Sequence, residues 1–263
     1  MADPQRVLLL GDTHGNTSWT LSMIDQASAL DADLILQLGD FGYWPRVRDG
    51  LRFLSAVEKR LGDRGLPLWF IDGNHEDHVS LRSAELGPGF VPISDHVTYL
   101  PRGTRWTWDS TEWLAVGGAS SVDRNWRREG ISWFPEEILT ASQERAITES
   151  GSATVVVAHD APWGVSFLAK RYDLFTPPEA RGGWPADALR DSDRNMVRMR
   201  SVADSIQPRV WYHGHHHVRY DDVLDIGTKT VDIHGLSMDG TPLTKGALLV
   251  DNSGTVLPWP VGS

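Results

Sequence analysis

The chain contains no cysteine. That absence excludes disulfides, thiolate-held zinc and a cysteine nucleophile, so any bound metal must be held by carboxylate, amide or imidazole groups. No apolar run is long enough to span a bilayer, and Met1-Ala2-Asp3-Pro4 passes into the short run at 7–10 without a cationic leader. A cytoplasmic location and no membrane partner are the default expectations. Neither a linker nor a low-complexity stretch nor an internal repeat divides the 263 residues, which predicts a single domain over 1–263. Basic residues are outnumbered 25 to 35, for a net charge of −10. Coating extended nucleic acid draws on clustered Lys and Arg, so that partner is not expected. A small anionic substrate stays open, because bound dications would dominate the field of a cleft whatever the surface carries.

Tryptophan is abundant instead, at 12 residues, and Trp106, Trp108 and Trp113 alternate along expected strands as core residues would. Residues 6–10 and 34–38 are apolar runs that stop at Gly11-Asp12 and Gly39-Asp40, as buried strands do. Between them a helix capped by Asn16 or Thr17 runs to about Leu30, with Leu21, Ile24 and Ala27 at helical spacing, which completes a βαβ unit. Leu51, Leu54, Glu58 and Leu61 give a second helical stripe broken at Gly62, and 68–71 a third strand. Closely spaced short strands over 97–118, turning at Arg102-Gly103, suggest an antiparallel section with Thr104, Trp106 and Trp108 on one face. A helix is expected over 135–147, with Glu136 and Glu137 at the positive end of its dipole. Then come a strand at 155–158, a long loop over 161–185, a helix over 193–206 buried along Met196, Met199, Val202 and Ile206, a strand at 209–212, and closing strands at 223–226, 229–233 and 247–250.

Five segments deliver hard-metal donors just after such apolar runs: Asp12-Thr13-His14, Gly39-Asp40, Gly73-Asn74-His75-Glu76, His159 and Gly214-His215-His216-His217. In alternating α/β architecture ligands gather at the carboxyl ends of strands, where all five fall. Each has a plain alternative taken alone. Asp12 and His14 face the same way in an extended segment and suit one ion, yet Asp-x-His also makes an Asx turn. Gly39-Asp40 can be a turn, Asn74-His75 a helix cap, and His159 a hydrogen-bonded core histidine. Four histidines in five residues (His213, His215, His216, His217), with His215 and His217 again two apart, are hard to justify as packing.

In this order the segments resemble the calcineurin-like metallophosphoesterases, whose pattern runs D-x-H, G-D, G-N-H-D/E, a lone H and G-H-x-H; the match spans 12–217. The stretch Gly117 to Arg124, with Trp126-Arg127 and Ser132 to Glu137, also resembles small bacterial and phage members. The resemblance implies a four-layer α/β sandwich, two mixed β-sheets flanked by helices. It implies that Asp12, His14 and His217 bind one divalent ion and Asn74, His159 and His215 a second, with Asp40 bridging them. His75 would be the non-ligand histidine that meets the phosphate. The second motif departs from the pattern at Tyr43, where many members carry an Asp that orients this histidine. Either the Tyr43 hydroxyl takes over that task or another carboxylate does.

The expected activity is hydrolysis of a small phosphate ester, in which the ions acidify the attacking water and clamp an in-line displacement at phosphorus. His75 would stabilise the phosphoryl oxygens or protonate the leaving group, and Arg124 and Arg127 are candidate phosphate clamps whose alternative is surface ion pairing. Tyr43, Trp44 or Trp163 offer aromatic walls for a base, which favours a phosphodiesterase acting on nucleotide-like esters, cyclic nucleotides included, over a phosphomonoesterase or protein phosphatase. A metal-binding scaffold without turnover is the reading from another class. Manganese is expected first, with iron, zinc or nickel accepted by the same donors.

Overall fold

The protein is described by a computed structural model covering residues 3–84 and 89–259. Strands and helices alternate from the start: β1 (Val7–Leu10), α1 (Thr17–Ala29), β2 (Leu34–Gln37), α2 (Arg48–Arg64), β3 (Leu68–Phe70), α3 (His78–Ala84), β4 (Val91–Pro92) and β5 (Val97–Tyr99). The second half follows as β6 (Arg105–Trp108), β7 (Thr111–Val116), α4 (Ala141–Thr148), β8 (Val155–Ala158), α5 (Ser166–Tyr172), α6 (Ala186–Ile206), β9 (Val210–His213), β10 (Tyr220–Asp225), β11 (Thr230–Gly235), α7 (Leu243–Gly246) and β12 (Ala247–Val250).

Among the described residues these strands form two six-stranded sheets, ordered β12-β1-β2-β3-β5-β4 and β10-β11-β9-β8-β7-β6. In each, four central strands run parallel and the two outer strands run antiparallel to their neighbours. Of the section expected to be antiparallel over 97–118, β5 pairs antiparallel with β4 and β6 with β7, while β5 and β7 also pair in parallel with β3 and β8.

Strand periodicity divides the apolar residues between layers. On β1, Val7 and Leu9 join a cluster with Val155, Val157, Val210 and Tyr212 of the other sheet, whereas Leu8 and Leu10 face Ile24, Ala27 and Val57 of α1 and α2. The far face of the second sheet packs on Met196, Met199, Val202 and Ile206 of α6. The result is the four-layer α/β sandwich, with central strands buried on both faces as continuous apolar runs require. Trp106 stacks on Trp113, and Trp108 meets both edge-on, in the layer between the sheets. No helix among the described residues is long and apolar enough to cross a membrane.

Asn16 caps α1 by accepting from Trp19 N–H. Two helices differ from expectation. α2 runs through Gly62 to Gly65, whose left-handed conformation ends it, and its buried edge is Phe53, Val57 and Leu61; Leu51 stays 51% exposed. Residues 135–147 do not form one helix. Pro135–Glu137 is a single tight turn, the Leu139 N–H donates to the Asn195 side chain instead of to a helical carbonyl, and α4 begins afresh at a Thr140/Gln143 capping box. Glu137 does not serve a helix dipole; it is buried and accepts from Ser121. The α6 helix starts earlier than expected, at Ala186, and α5 occupies part of the 161–185 stretch.

The α2 packing gives a direct check by chemical denaturation. Phe53→Ala should lower unfolding free energy by about 3–5 kcal/mol, and Leu51→Ala by less than about 1 kcal/mol; equal losses would place the helix on a different face.

Candidate metal centre

The carboxyl ends of β1, β2, β3, β8 and β9 lead directly into Asp12, Asp40, Asn74, His159 and His215, so parallel strands from both sheets deliver their donors to one edge. Asp12, His14, Asp40 and His217 offer ligand atoms within 4.8 Å of one another, and Asp40, His159 and His215 do the same, so Asp40 belongs to both groups. In the first, His217 Nε2 lies 3.1 Å and His14 Nε2 4.0 Å from Asp12 Oδ2. In the second, His159 Nε2 lies 3.4 Å from Asp40 Oδ1 and 3.1 Å from Asn74 Oδ1.

The backbone is bent to achieve this. Of the eight non-glycine residues with positive φ among the described residues, four are His14, Asp40, His215 and His217. Such conformations cost free energy and persist where surrounding structure enforces them, commonly at functional sites. Glycines before the donors leave room for donors arriving from other strands. A Cβ on Gly73 would lie 2.2 Å from Asp40 Oδ1, and one on Gly214 would lie 2.1 Å from Asp12 Oδ1. This is the physical content of the G-N-H and G-H-x-H patterns.

Neighbours hold each donor in a fixed orientation. His14 Nδ1 meets Asp239 Oδ1 at 2.9 Å, and Asp239 also accepts from Asn16 Nδ2 at 2.7 Å. His159 Nδ1 lies 2.7 Å from the Leu38 carbonyl, a bond that reserves Nε2 as a lone-pair donor. Asn74 Nδ2 donates to Ser121 Oγ, which donates to Glu137, and so Asn74 Oδ1 is aimed at His159. Backbone N–H groups of His215 and His75 donate to Asp12 and Asp40. Sequence reasoning does not single out Asp239, Ser121 or Glu137 for these tasks. Asp239 lies 225 residues from His14 in the chain, beyond any local pattern.

The electrostatics favour positive charge at this edge. Burial pushes the Asp40 carboxyl up, but the imidazoles of His159, His75 and His14 outweigh it and hold Asp40 well below the usual carboxylate range. Burial works against charge on His14 and His159, yet Asp40 and Asp12 push both up to about 10. Asp40 Oδ2 is buried and takes no well-formed hydrogen bond. Divalent cations fit this set: oxygen and imidazole donors without thiolates, two buried carboxylates, and one carboxylate oxygen that meets the His14 imidazole at 3.5 Å without a well-formed hydrogen bond.

The remaining sequence candidates separate. His75 lines the cavity beside the donors and pins its carbonyl to the Trp44 indole at 2.8 Å. Its ring is met by Arg127, whose Nη2 stands 2.7 Å from Nε2 and 3.1 Å from Nδ1, and which is in turn paired with Asp123. Burial lowers the His75 pKa, Asp40 opposing and Arg127 reinforcing. Tyr43 does not orient His75: its side chain is buried against Phe70, and among the described residues no hydrogen bond joins the two. The Arg127 guanidinium stands beside the His75 ring instead, and Asp123 pairs with that guanidinium. Glu76 turns away from the donors to accept the Phe41 and Tyr43 N–H groups. Arg124 is spent on ion pairs with Asp187 and Asp191 of α6 instead of facing the donors. Trp44 packs on Phe134 and Trp163 on the α6 core, so neither walls the cavity; Tyr172 and Trp184 do. Within the histidine run, His216 bonds Asp160 and His213 bonds the Tyr220 hydroxyl, and both serve the loop's shape.

The family's sequence pattern matches residues 5–219 under the description calcineurin-like phosphoesterase. The chain belongs to the calcineurin-like phosphoesterases. Among solved structures, a protein from Thermus thermophilus superposes with a TM-score of 0.55 at 14% identity, covering 97% of each chain. A dimetal phosphatase from Danio rerio superposes with a TM-score of 0.54 at 15% identity, covering 95% of this chain and 93% of that one. At such identities these likenesses establish the shared fold. No curated protein matches the chain. As in its family, the Asp and His clusters of this phosphoesterase suit a pair of divalent metals.

A pH dependence follows from His78, which is buried on α3 and packs against Phe134. Burial lowers its pKa to about 4, with Asp72 opposing and Arg102 reinforcing. The unfolded chain takes up this proton near pH 6.5 and the folded chain only near 4, so stability is lost as pH falls through that window. In chelator-treated protein, the loss between pH 8 and pH 5 should be about 2 kcal/mol smaller for His78→Phe than for the wild type. Parallel curves would show that His78 titrates normally.

Proposed function

We propose that the chain is a binuclear metal-dependent phosphodiesterase acting on small nucleotide-like esters, cyclic nucleotides among them. The observation that carries this reading is the sharing of Asp40 between two donor groups that open into one cavity of about 760 Å³. Asp12, His14, Asp40 and His217 would hold one ion, and Asp40, Asn74, His159 and His215 the other, with manganese expected first. The pair would supply Lewis acidity toward phosphoryl oxygens and acidify a water for in-line attack. The name of the Danio rerio neighbour, a dimetal phosphatase, agrees with two ions.

The chain's own residues do the rest. Asp239 and the Leu38 carbonyl keep the His14 and His159 rings turned so that Nε2 faces the centre. Trp44 fixes the His75 backbone, and Arg127 sits on the His75 ring, so the two present a compact donor pair to an anionic ester. Asp123 keeps the guanidinium in place. In this arrangement Arg127 supplies positive charge beside the His75 ring, and His75 would meet the phosphoryl oxygens or the leaving group. The walls of the cavity exclude bulk water from the organic part of the ester.

Protein stripped by chelator and reloaded with Mn²⁺ tests the reading. Turnover should return with the ions, kcat/KM should be higher on bis(4-nitrophenyl) phosphate than on 4-nitrophenyl phosphate, and Asp40→Asn should cost roughly 10³-fold or more by disturbing both ions. A large monoester preference would reverse the choice of ester. Two tightly held ions with no hydrolysis of any ester would make the chain a binding scaffold.

A further inference from the structure

The cavity is much larger than the donor cluster at one end of it. Its volume of about 760 Å³ falls within the roughly 300–1,000 Å³ that small organic ligands occupy. Beyond His75 and His217 its far walls come from α5, the start of α6 and the chain between them, with Leu174, Leu189 and Met196 as an apolar lining. Two partly exposed aromatic residues belong to the lining: Tyr172, 37% exposed, and Trp184, 45% exposed.

This wall is held at a set distance from the opposite side. Arg124 bridges to Asp187 and Asp191 on α6, and the Trp126 ring packs against Trp184 with centroids 5.4 Å apart. The Tyr172 hydroxyl donates to the His216 carbonyl at 3.3 Å, which ties the end of α5 to the histidine loop. The charges on the far walls cancel. Arg171 and Arg181 are matched in number by Asp173 and Asp193; Arg181 pairs with Asp193, and Arg171 lies over the Tyr172 ring. A second phosphate or carboxylate on the substrate would therefore meet as much negative as positive charge.

We propose that this cavity is the subsite for the organic substituent of the phosphate ester, and that it selects an uncharged, ring-bearing group over a small alkyl or a polyanionic one. The inference rests on the hydrolase reading and names the substrate class within it. Arg124 acts here as a strut that sets the width of the subsite and does not touch the phosphate. Trp184 and Tyr172 supply aromatic surface to the lining, and the aliphatic residues receive the rest of the group.

Calorimetric binding to the Mn²⁺-loaded protein tests this without turnover, using methylphosphonate, benzylphosphonate and 4-carboxybenzylphosphonate as probes. Benzylphosphonate should bind about 10-fold or more tightly than methylphosphonate, as expected for burying one ring, and the carboxylated probe should bind more weakly than benzylphosphonate. Trp184→Ala, at an exposed position, should shrink the benzyl-to-methyl ratio several-fold, and Ser192→Trp, which fills the cavity from α6, should bring it towards one. Equal binding of the benzyl and methyl probes would overturn the subsite while leaving the phosphate-binding centre standing. Tighter binding of the carboxylated probe would overturn the selection against a second anion. If no phosphonate bound a protein carrying two Mn²⁺ ions, the hydrolase reading itself would fall, and the subsite with it.

Discussion

The molecule is organised around a buried carboxylate, Asp40, that two groups of donors share. Burying such a charge is costly unless it is paired. Here the compensation arrives from several strands: the His75 N–H from the end of β3, His159 from the end of β8, and His14 from the end of β1. That convergence demands parallel strands in both sheets with their carboxyl ends at one edge. It also demands glycines at Gly73 and Gly214, because the donors approach their backbones more closely than a side chain would permit. The sandwich core, with Val7 and Leu9 against Val155 and Val157, keeps the two edges in register.

A second set of contacts adapts this plan to the chain's own chemistry. The position expected to orient His75 is held by Tyr43, whose ring is absorbed into the core beside Phe70. The neighbours of the His75 ring are Arg127 and, paired with it, Asp123, on the segment after β7. The same segment carries Arg124 and Trp126, which meet α6 and its preceding loop, so one stretch of chain both meets His75 and fixes the opposite wall.

The donor set is legible in sequence because each donor follows an apolar run that is itself legible as a buried strand, and because Asp12/His14 and His215/His217 are paired over short spacings. The alternation of strands and helices, the cap at Asn16 and the buried edge of α6 can be read for the same local reasons. What cannot be read depends on distant partners. Nothing near His14 announces Asp239, and nothing near Asn74 announces Glu137. The stripe of α2 is misleading because Leu51 and Phe53 are both apolar, and only the sheet beneath decides which one is covered. Residues 135–147 look helical by composition, but the pull of Ser121 on Glu137 and of Asn195 on Leu139 breaks them in two. Arg124 and Arg127 are indistinguishable as isolated basic residues, and their partners assign them different work.

The central claim, that Asp40 is shared by two cations, is tested most directly by anomalous diffraction from crystals equilibrated with Mn²⁺. The account predicts two manganese peaks flanking Asp40, one against Asp12, His14 and His217 and the other against Asn74, His159 and His215. A single peak, or peaks that leave Asp40 without a metal neighbour, would contradict it.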